Sequence, residues 1–238
     1  LVALGSWQLR EGTPSSTLHL RGLSPEVQSL IETAQASLDY AGFDRVRRAA
    51  LADALSWRTA LGRLRDDAGL GVERNLLRHW PVSTHVRLAE GGALDELLRV
   101  IAAGLLVGAP MSVSTGLLLP VDVVSFLEGL QIAVSLERDD AWLERIAVVG
   151  AGPGVGAIAE RVRLIGGDAV RAAEWLGGQD RVPLWSEPVT MAGPVELLVF
   201  LREQSISIAA HRYGFTSPLP GIEDRIAELD AAVDVPAD

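Results

Sequence analysis

The stretch THVRLAEGGALDELLRVIAAGLLVGAPMSVSTG, residues 84–116, predicts the fold of the chain. Residues 84–90 and 110–116 are short runs typical of strands, and residues 92–108 between them are typical of a helix. A strand, a helix and a second strand in this order indicate a parallel βαβ unit. The alternation continues with predicted strands over 132–137, 161–167, 182–187 and 205–214 and predicted helices over 120–130, 139–150, 168–178 and 193–204.

This alternation predicts an α/β fold with a Rossmann-like, open and mostly parallel sheet of about five or six strands. An N-terminal helical segment precedes the sheet. Its first helix is predicted to begin with Ser24 as N-cap and Pro25 at the first helical position, and to end at Gly42. A second, longer helix is predicted from residue 43 to Gly69.

We expect three regions along the chain. They are a helical segment packing on the core (1–81), the Rossmann-like domain with its C-terminal strand or flap (82–217), and a short helix with a frayed tail (218–238).

Composition narrows the possible partners. The 238 residues carry a net charge of −10, which argues against nucleic acid and anionic membranes. The longest apolar runs fall far short of the ~18 residues that span a bilayer. The first residues, LVALGSWQLREG, lack the apolar core of a signal peptide. The chain begins with Leu, so we expect a piece of a longer protein, and the absence of Cys leads us to expect a cytoplasmic one.

Two residue types are missing from the sequence. There is no Cys, so disulfides, thiolate metal sites and a Cys nucleophile are excluded. All 21 basic residues are Arg, so there is no lysine for a Schiff base or a phosphate loop. The four histidines lack the spacing of a helical metal site. We therefore expect no catalytic residues and no metal site.

A glycine-rich stretch, VVGAGPGVG (148–156), resembles a dinucleotide-binding fingerprint. With strands at 146–149 and 162–166, the glycine turn at 150–156 would leave only five residues for a crossover helix, and a βαβ connection needs about 10 to 12 residues. We therefore favour a helix beginning at Asp139 and ending near Gly150, followed by a loop without ligand. The alternative, a cofactor site, stays open; its residues would be Gly150, Gly152, Gly154, Gly156 and Asp168.

Within EQSISIAAHRYGFTS (203–217), one face carries Ser205, Ser207, Ala209 and His211 and the other Ile206, Ile208 and Ala210, an alternation typical of half-buried strands. We expect an interaction flap at the edge of the sheet or projecting from it, because unpaired strand edges invite another strand. An ordinary core strand is the alternative. The predicted interface residues are Glu203, Ser205, Ile206, Ser207, Ile208, His211, Arg212 and Tyr213.

Three stretches carry a family resemblance. They are GLGVERNLLRHWPVSTHVRLAE (69–90), EPVTMAGPVELLVFLREQSISIAAHRYG (187–214) and WRTALG (57–62). They resemble the C-terminal portion of actinobacterial, bifunctional proline utilisation A proteins. The resemblance is good over 57–90 and 187–214 and weaker elsewhere. None of these motifs is catalytic.

The resemblance implies a parent enzyme that oxidises proline to glutamate. An FAD-dependent proline dehydrogenase domain precedes an NAD-dependent L-glutamate γ-semialdehyde dehydrogenase domain in that family. Long members add a C-terminal, aldehyde-dehydrogenase-like domain without chemistry, which covers the tunnel between the active sites and replaces an oligomerisation contact. The missing Cys and Lys agree with such a vestigial domain.

We therefore expect no cofactor in this chain, while FAD and NAD are implied for the parent. The expected partners are the upstream catalytic domains of the same parent chain, and a homodimer is possible. The alternative function is a nucleotide-binding module, or an independent enzyme, that uses the glycine loop at 150–156.

Overall fold

The computed structural model describes residues 20, 22–68, 70, 73–149, 159–178, 181–209, 211–212, 215–216 and 226–228. In chain order the strands are β1 Glu73–Pro81, β2 Thr84–Leu88, β3 Met111–Thr115, β4 Ala133–Leu136, β5 Arg161–Ile165, β6 Leu184–Trp185, β7 Leu201–Ala209, β8 His211–Arg212 and β9 Phe215–Thr216. The α-helices are α1 Pro25–Ala34, α2 Tyr40–Ser56, α3 Leu94–Leu106, α4 Val121–Gly129, α5 Asp139–Val149, α6 Ala169–Trp175 and α7 Gly193–Glu196.

A five-stranded parallel sheet forms the centre of the molecule, in the order β4-β3-β2-β5-β6. The chain runs from β2 outward through β3 to β4, and then returns to the other side of β2 with β5 and β6. This arrangement confirms the predicted Rossmann-like open sheet. Helix α3 lies in the largest apolar cluster, because nearly its whole surface from Leu97 to Gly104 is buried.

Helices α1 and α2, which precede the sheet in the chain, pack on α3. Ser24 caps α1 as predicted, since its hydroxyl accepts the amide N–H of Val27. The prediction that Gly42 ends this helix is wrong. Asp39 caps a new helix by accepting the N–H of Gly42, which places this glycine in the first turn of α2.

The longer N-terminal helix is shorter than predicted. Helix α2 ends at Ser56, and a single π-helical turn, Trp57–Leu61, follows it. The Gly62 amide closes this turn on the carbonyl of Trp57. Among the described residues, no helix is both long and apolar enough to cross a bilayer.

Strands β1 and β7 pair with each other in antiparallel register, outside the five-stranded sheet. We call this pair the β1–β7 ribbon. It differs from two expectations. β1 lies within the segment predicted to be helical, and the helix predicted over 193–204 gives way to a 3₁₀ turn at Leu197 and to strand from Leu201.

The helix predicted to end near Gly150 is confirmed, because Asp139–Val149 is helical. A strand at 146–149, which the cofactor alternative needed, is absent from this described stretch. The glycine loop itself, residues 150–158, lies outside the described residues, so the structure does not place Gly150, Gly152, Gly154 or Gly156.

A buried ion pair joins α2 to α3. The guanidinium of Arg99 donates to both carboxylate oxygens of Asp53, with Nη2 at 2.8 Å from Oδ1, and also to the carbonyl of Thr190. Burial raises the pKa of Asp53 to about 6, and Arg99 opposes this rise. The pair therefore depends on both partners being present.

We expect Asp53→Asn to lower the free energy of unfolding by about 3–5 kcal/mol, because Arg99 would stay buried without its counter-charge. The double variant Asp53→Leu/Arg99→Met should recover most of this loss, since an apolar pair of similar volume needs no desolvation of charge. Urea unfolding at pH 7 measures both. The account would be contradicted if the double variant lost as much free energy of unfolding as Asp53→Leu and Arg99→Met lose when their separate losses are added.

A second buried group, His85 on β2, joins the sheet to α5. Its Nε2 lies 3.1 Å from the indole nitrogen of Trp142, which is only a donor, so Nε2 accepts. The proton of the neutral ring therefore lies on Nδ1 and is donated to the Ser112 hydroxyl at 2.8 Å. Burial lowers the pKa of His85 to about 3.

This pKa predicts a pH-dependent stability. The unfolded histidine binds its proton near pH 6.5, before the folded one does, so the contribution of His85 is complete above pH 6.5 and is lost as the pH falls toward 3. The slope from this group is about 1.4 kcal/mol per pH unit. Asp53 acts in the opposite direction below pH 6, so the measurement compares urea unfolding of the wild type with that of His85→Gln. Equal pH slopes for the two proteins would refute the assignment.

Candidate functional site

The β1–β7 ribbon extends from the amino-terminal edge of the parallel sheet. Pro81 ends β1 three residues before β2 begins, and β7 begins directly after the buried Phe200. The amide of Val82 donates to the carbonyl of Phe200, which continues the ribbon pairing down to the sheet. The ribbon is therefore continuous with the core at its base.

Arg161, the first residue of β5, anchors this base. Its Nη1 donates to the carbonyls of Leu198, Val199 and Leu201, at 2.7, 3.2 and 2.7 Å. Burial lowers the pKa of this guanidinium below its ordinary value. One side chain of the sheet thus fixes the carbonyls from which β7 departs.

The outer edge of β7 is unpaired within the described part of the chain. On the opposite side of the ribbon, Leu77 exchanges both backbone hydrogen bonds with Arg65, so the odd-numbered residues of β1 face Arg65 and the even-numbered ones face β7. The register pairs Arg78 with Gln204. The even-numbered residues of β7 therefore bond to β1, and its odd-numbered residues present their N–H and C=O groups outward.

The predicted interface residues of this strand lie along that edge. Glu203, Ser205 and Ser207 are exposed and odd-numbered, while Ile206 and Ile208 are half-buried on the other face. Ser207 donates its hydroxyl proton to the side-chain oxygen of Asn75 across the ribbon. The expected alternation of the two faces is present from 205 to 209.

The remaining predicted interface residues lie beyond the ribbon. His211 and Arg212 form β8, which pairs with β9 in a separate short hairpin, and Tyr213 lies outside the described residues.

A cluster at the base of the ribbon was missed by the sequence analysis. Arg78 lies under the ring of Trp80, with its guanidinium carbon 4.2 Å from the ring centroid. Gln204 accepts from both, since its Oε1 lies 2.7 Å from Arg78 Nε and 2.7 Å from Trp80 Nε1. The available sequence signal was the spacing of two in RHW, which places Arg78 and Trp80 on one face of a strand.

The opposite, carboxyl-terminal edge of the sheet is where Rossmann-like folds bind nucleotides. Here the loops after β2 and β5 pack directly on each other. Ala89 donates its N–H to the carbonyl of Ile165 at 3.0 Å, and a Cβ on Gly167, whose φ is +75°, would lie 2.9 Å from that of Ala89. The crevice between these two loops is filled by backbone.

Acidic groups surround the same edge. The Asp139 carboxylate accepts the amide N–H of Glu90, the residue two positions after β2, and the guanidinium of Arg87 at 2.6 Å. Asp95 and Glu96 lie in the first turn of α3, where they disfavour a phosphate. An internal carboxylate thus occupies the amide that a pyrophosphate would need, and these residues do not fit a dinucleotide.

Two further side chains complete this edge. Burial alone would raise the pKa of Glu137, but hydrogen bonds from Arg145 and Ser114 hold it below its ordinary value. Asp168, the acid of the alternative cofactor site, caps α6 by accepting the N–H of Arg171 at 3.0 Å. Among the described residues, no three His, Cys, Asp or Glu side chains are grouped as metal ligands would be.

Comparison with known proteins agrees with the fold. No family model and no curated protein matches the chain. The solved structure of Proline Utilization A (PutA) from Corynebacterium freiburgense is similar over 87% of this chain, with a TM-score of 0.51 and 23% sequence identity. This chain covers 16% of the length of that protein. The likeness shows that the chain has a PutA-like fold.

Proposed function

We propose that this chain is a non-catalytic, C-terminal domain of a bifunctional proline-catabolic enzyme, in which the β1–β7 ribbon docks on a catalytic domain of the same parent chain. In this role the ribbon covers the path of the L-glutamate γ-semialdehyde intermediate and contributes an interdomain or subunit contact. The catalytic chemistry, with FAD and NAD, belongs to the upstream domains.

The exposed outer edge of β7 is the observation that carries this proposal. A strand edge with free N–H and C=O groups is a template for a further strand, and proteins that do not use such an edge generally cover it. The edge is held in place at its base by Arg161 and the Val82–Phe200 hydrogen bond. A fixed, exposed edge is suited to docking because little conformational entropy is lost on binding.

The carboxyl-terminal edge of the sheet and the residue types of the chain support the proposal that this domain is non-catalytic. The sequence has no Cys for an aldehyde dehydrogenase nucleophile and no Lys. Asp139 and the glycine-containing loops fill the edge where such enzymes bind NAD. The PutA-like fold and the family resemblance support the proposed parent enzyme and the proposed class of partner.

Ser205→Pro tests the docking edge in the full-length parent enzyme. The Ser205 amide faces outward, so proline removes an edge donor without breaking a β1–β7 hydrogen bond. We expect NADH production from proline to develop a lag, and a trapping reagent for the semialdehyde to compete with its oxidation. Ser205→Ala, which keeps the amide, is the matched control and should behave as wild type.

Unchanged coupling in a folded Ser205→Pro enzyme would refute the docking role. The rates of the two half-reactions, each assayed with its own substrate, should stay at wild-type values in both variants. A fall in either half-reaction would show damage to the catalytic domains instead.

The cofactor alternative has its own test. Calorimetric titration of this chain with NAD or ADP should give no saturable heat up to millimolar concentration, because Asp139 occupies the Glu90 amide and the acidic first turn of α3 disfavours a phosphate. Asp139→Asn is the informative comparison, since it removes one charge and keeps the side-chain size. Micromolar binding by the wild-type chain would overturn the non-catalytic assignment.

A further inference from the structure

We propose that the base of the β1–β7 ribbon is a carboxylate-binding site, in which Arg78, Trp80 and Gln204 receive an Asp or Glu side chain from an extended segment of the domain on which the ribbon docks. This inference rests on the proposed docking function for its partner. It adds the chemistry by which that partner is recognised.

Arg78 is the first observation. The residue is only 8% exposed, yet its Nη1 has no hydrogen-bond partner and its Nε donates to a neutral amide oxygen. Burial lowers the pKa of Arg78 below its ordinary value. A guanidinium that has lost water and has gained no anion is costly, and a carboxylate would offset that cost through charge-assisted hydrogen bonds.

The cavity beside Arg78 is the second observation. It has a volume of about 490 Å³ and opens to solvent, and its lining includes Trp80, Arg202 and Gln204. Arg202 adds a second positive charge, because its only described ion pair is a 3.5 Å contact with Glu160 between two exposed side chains. Such exposed pairs contribute little, so Arg202 is available to an incoming anion.

Glu203 also lines the cavity, and it is the one acidic residue among the lining side chains. It lies on the opposite face of the strand from Arg78 and Gln204, because side chains alternate along β7. No described hydrogen bond or ion pair joins Glu203 to Arg78. The cation therefore remains open to a carboxylate from outside.

The neighbouring edge indicates an extended segment as the carrier of that carboxylate. The backbone groups of Glu203 and Ser205 point outward beside the cavity, so a strand added there would place alternate side chains on the face of Gln204, from which a Glu side chain can extend toward Arg78 on the next strand. The Trp80 ring is 36% exposed and gives the stem of that side chain an apolar surface. Tryptophan and arginine together are the residues most enriched in the energetic centres of protein interfaces.

Acetate is the probe, because it carries the carboxylate without any of the partner. In the intact 238-residue chain, NMR resonances of the Arg78 Nε–H and the Trp80 indole N–H should shift saturably as sodium acetate replaces sodium chloride at constant ionic strength. We expect a dissociation constant in the millimolar range. The Nε–H of Arg45, an exposed arginine already paired with Asp95, serves as the internal control and should not saturate.

Two variants check the assignment. Gln204→Glu places a carboxylate where Oε1 already accepts from Arg78 and Trp80, so it should fold, raise the melting temperature and abolish the acetate response. Arg78→Gln should also abolish the response of Trp80. A wild-type chain with no saturable shift, or a Gln204→Glu chain that still responds, would overturn the site.

The acetate experiment and the Ser205→Pro experiment test the two proposals separately. Saturable acetate binding together with normal coupling in Ser205→Pro would retain the carboxylate site and reject the lid. No acetate response together with a lag in Ser205→Pro would reject the site and retain the lid.

Discussion

The guanidinium of Arg161 binds the base of the β1–β7 ribbon to the parallel sheet. The short 3₁₀ turn before β7 ends at Phe200, where the Leu201 N–H donates to the carbonyl of Leu198. Arg161 supplies three hydrogen bonds to this region from the first residue of a central strand. An isolated two-stranded ribbon is marginally stable in water. Its continuity with the sheet core and this charged cap provide the support that the ribbon's own hydrogen bonds lack.

Buried arginine is used in the same way elsewhere in the sheet. Strands enclosed on both faces are generally continuous apolar runs, yet β2 and β5 each carry a central arginine that is almost fully buried. Arg163 donates to the Glu196 carboxylate and to the carbonyls of Trp185, the last residue of β6, and Glu187, and so connects β5 to α7. Arg87 donates to the Ser114 hydroxyl and the Asp139 carboxylate. In a chain without lysine, these branched cations join elements that apolar packing alone would leave unspecified.

The five sheet strands could be predicted from the sequence because each is a short local run, and the first four are followed by a recognisable helix. The ribbon could not be predicted in the same way. β1 and β7 stabilise each other across more than 120 residues, and nothing local in ERNLLRHWP distinguishes a strand from an irregular segment. Likewise Leu201 continues an apolar run that reads as helix, and only its pairing with Pro81 makes it extended. Gly42 was misjudged because a glycine in a first turn and a glycine after a last turn look alike in sequence.

The candidate site likewise has one part that follows from a local sequence pattern and one part that depends on a long-range contact. The alternation of Ser205, Ile206 and Ser207 predicted an exposed strand face, since that pattern is local. Arg78 and Gln204 meet only because the two strands pair, so the sequence contained their residue types but not their contact.

The surface proposed for docking and the edge where Rossmann-like folds bind nucleotides lie at opposite ends of the sheet. The ribbon leaves from the amino-terminal edge, where Arg161 and Val82 hold it, whereas nucleotide chemistry in such folds takes place at the carboxyl-terminal edge. Filling the latter edge with Asp139 and close-packed loops adds hydrogen bonds to the sheet and removes none from the ribbon. Strands β2 and β5, which run between the two edges, are largely buried and pair over their full length, so close packing resists deformation of this part of the sheet. The contacts at the carboxyl-terminal edge therefore do not weaken the base of the ribbon, on which the proposed docking role depends.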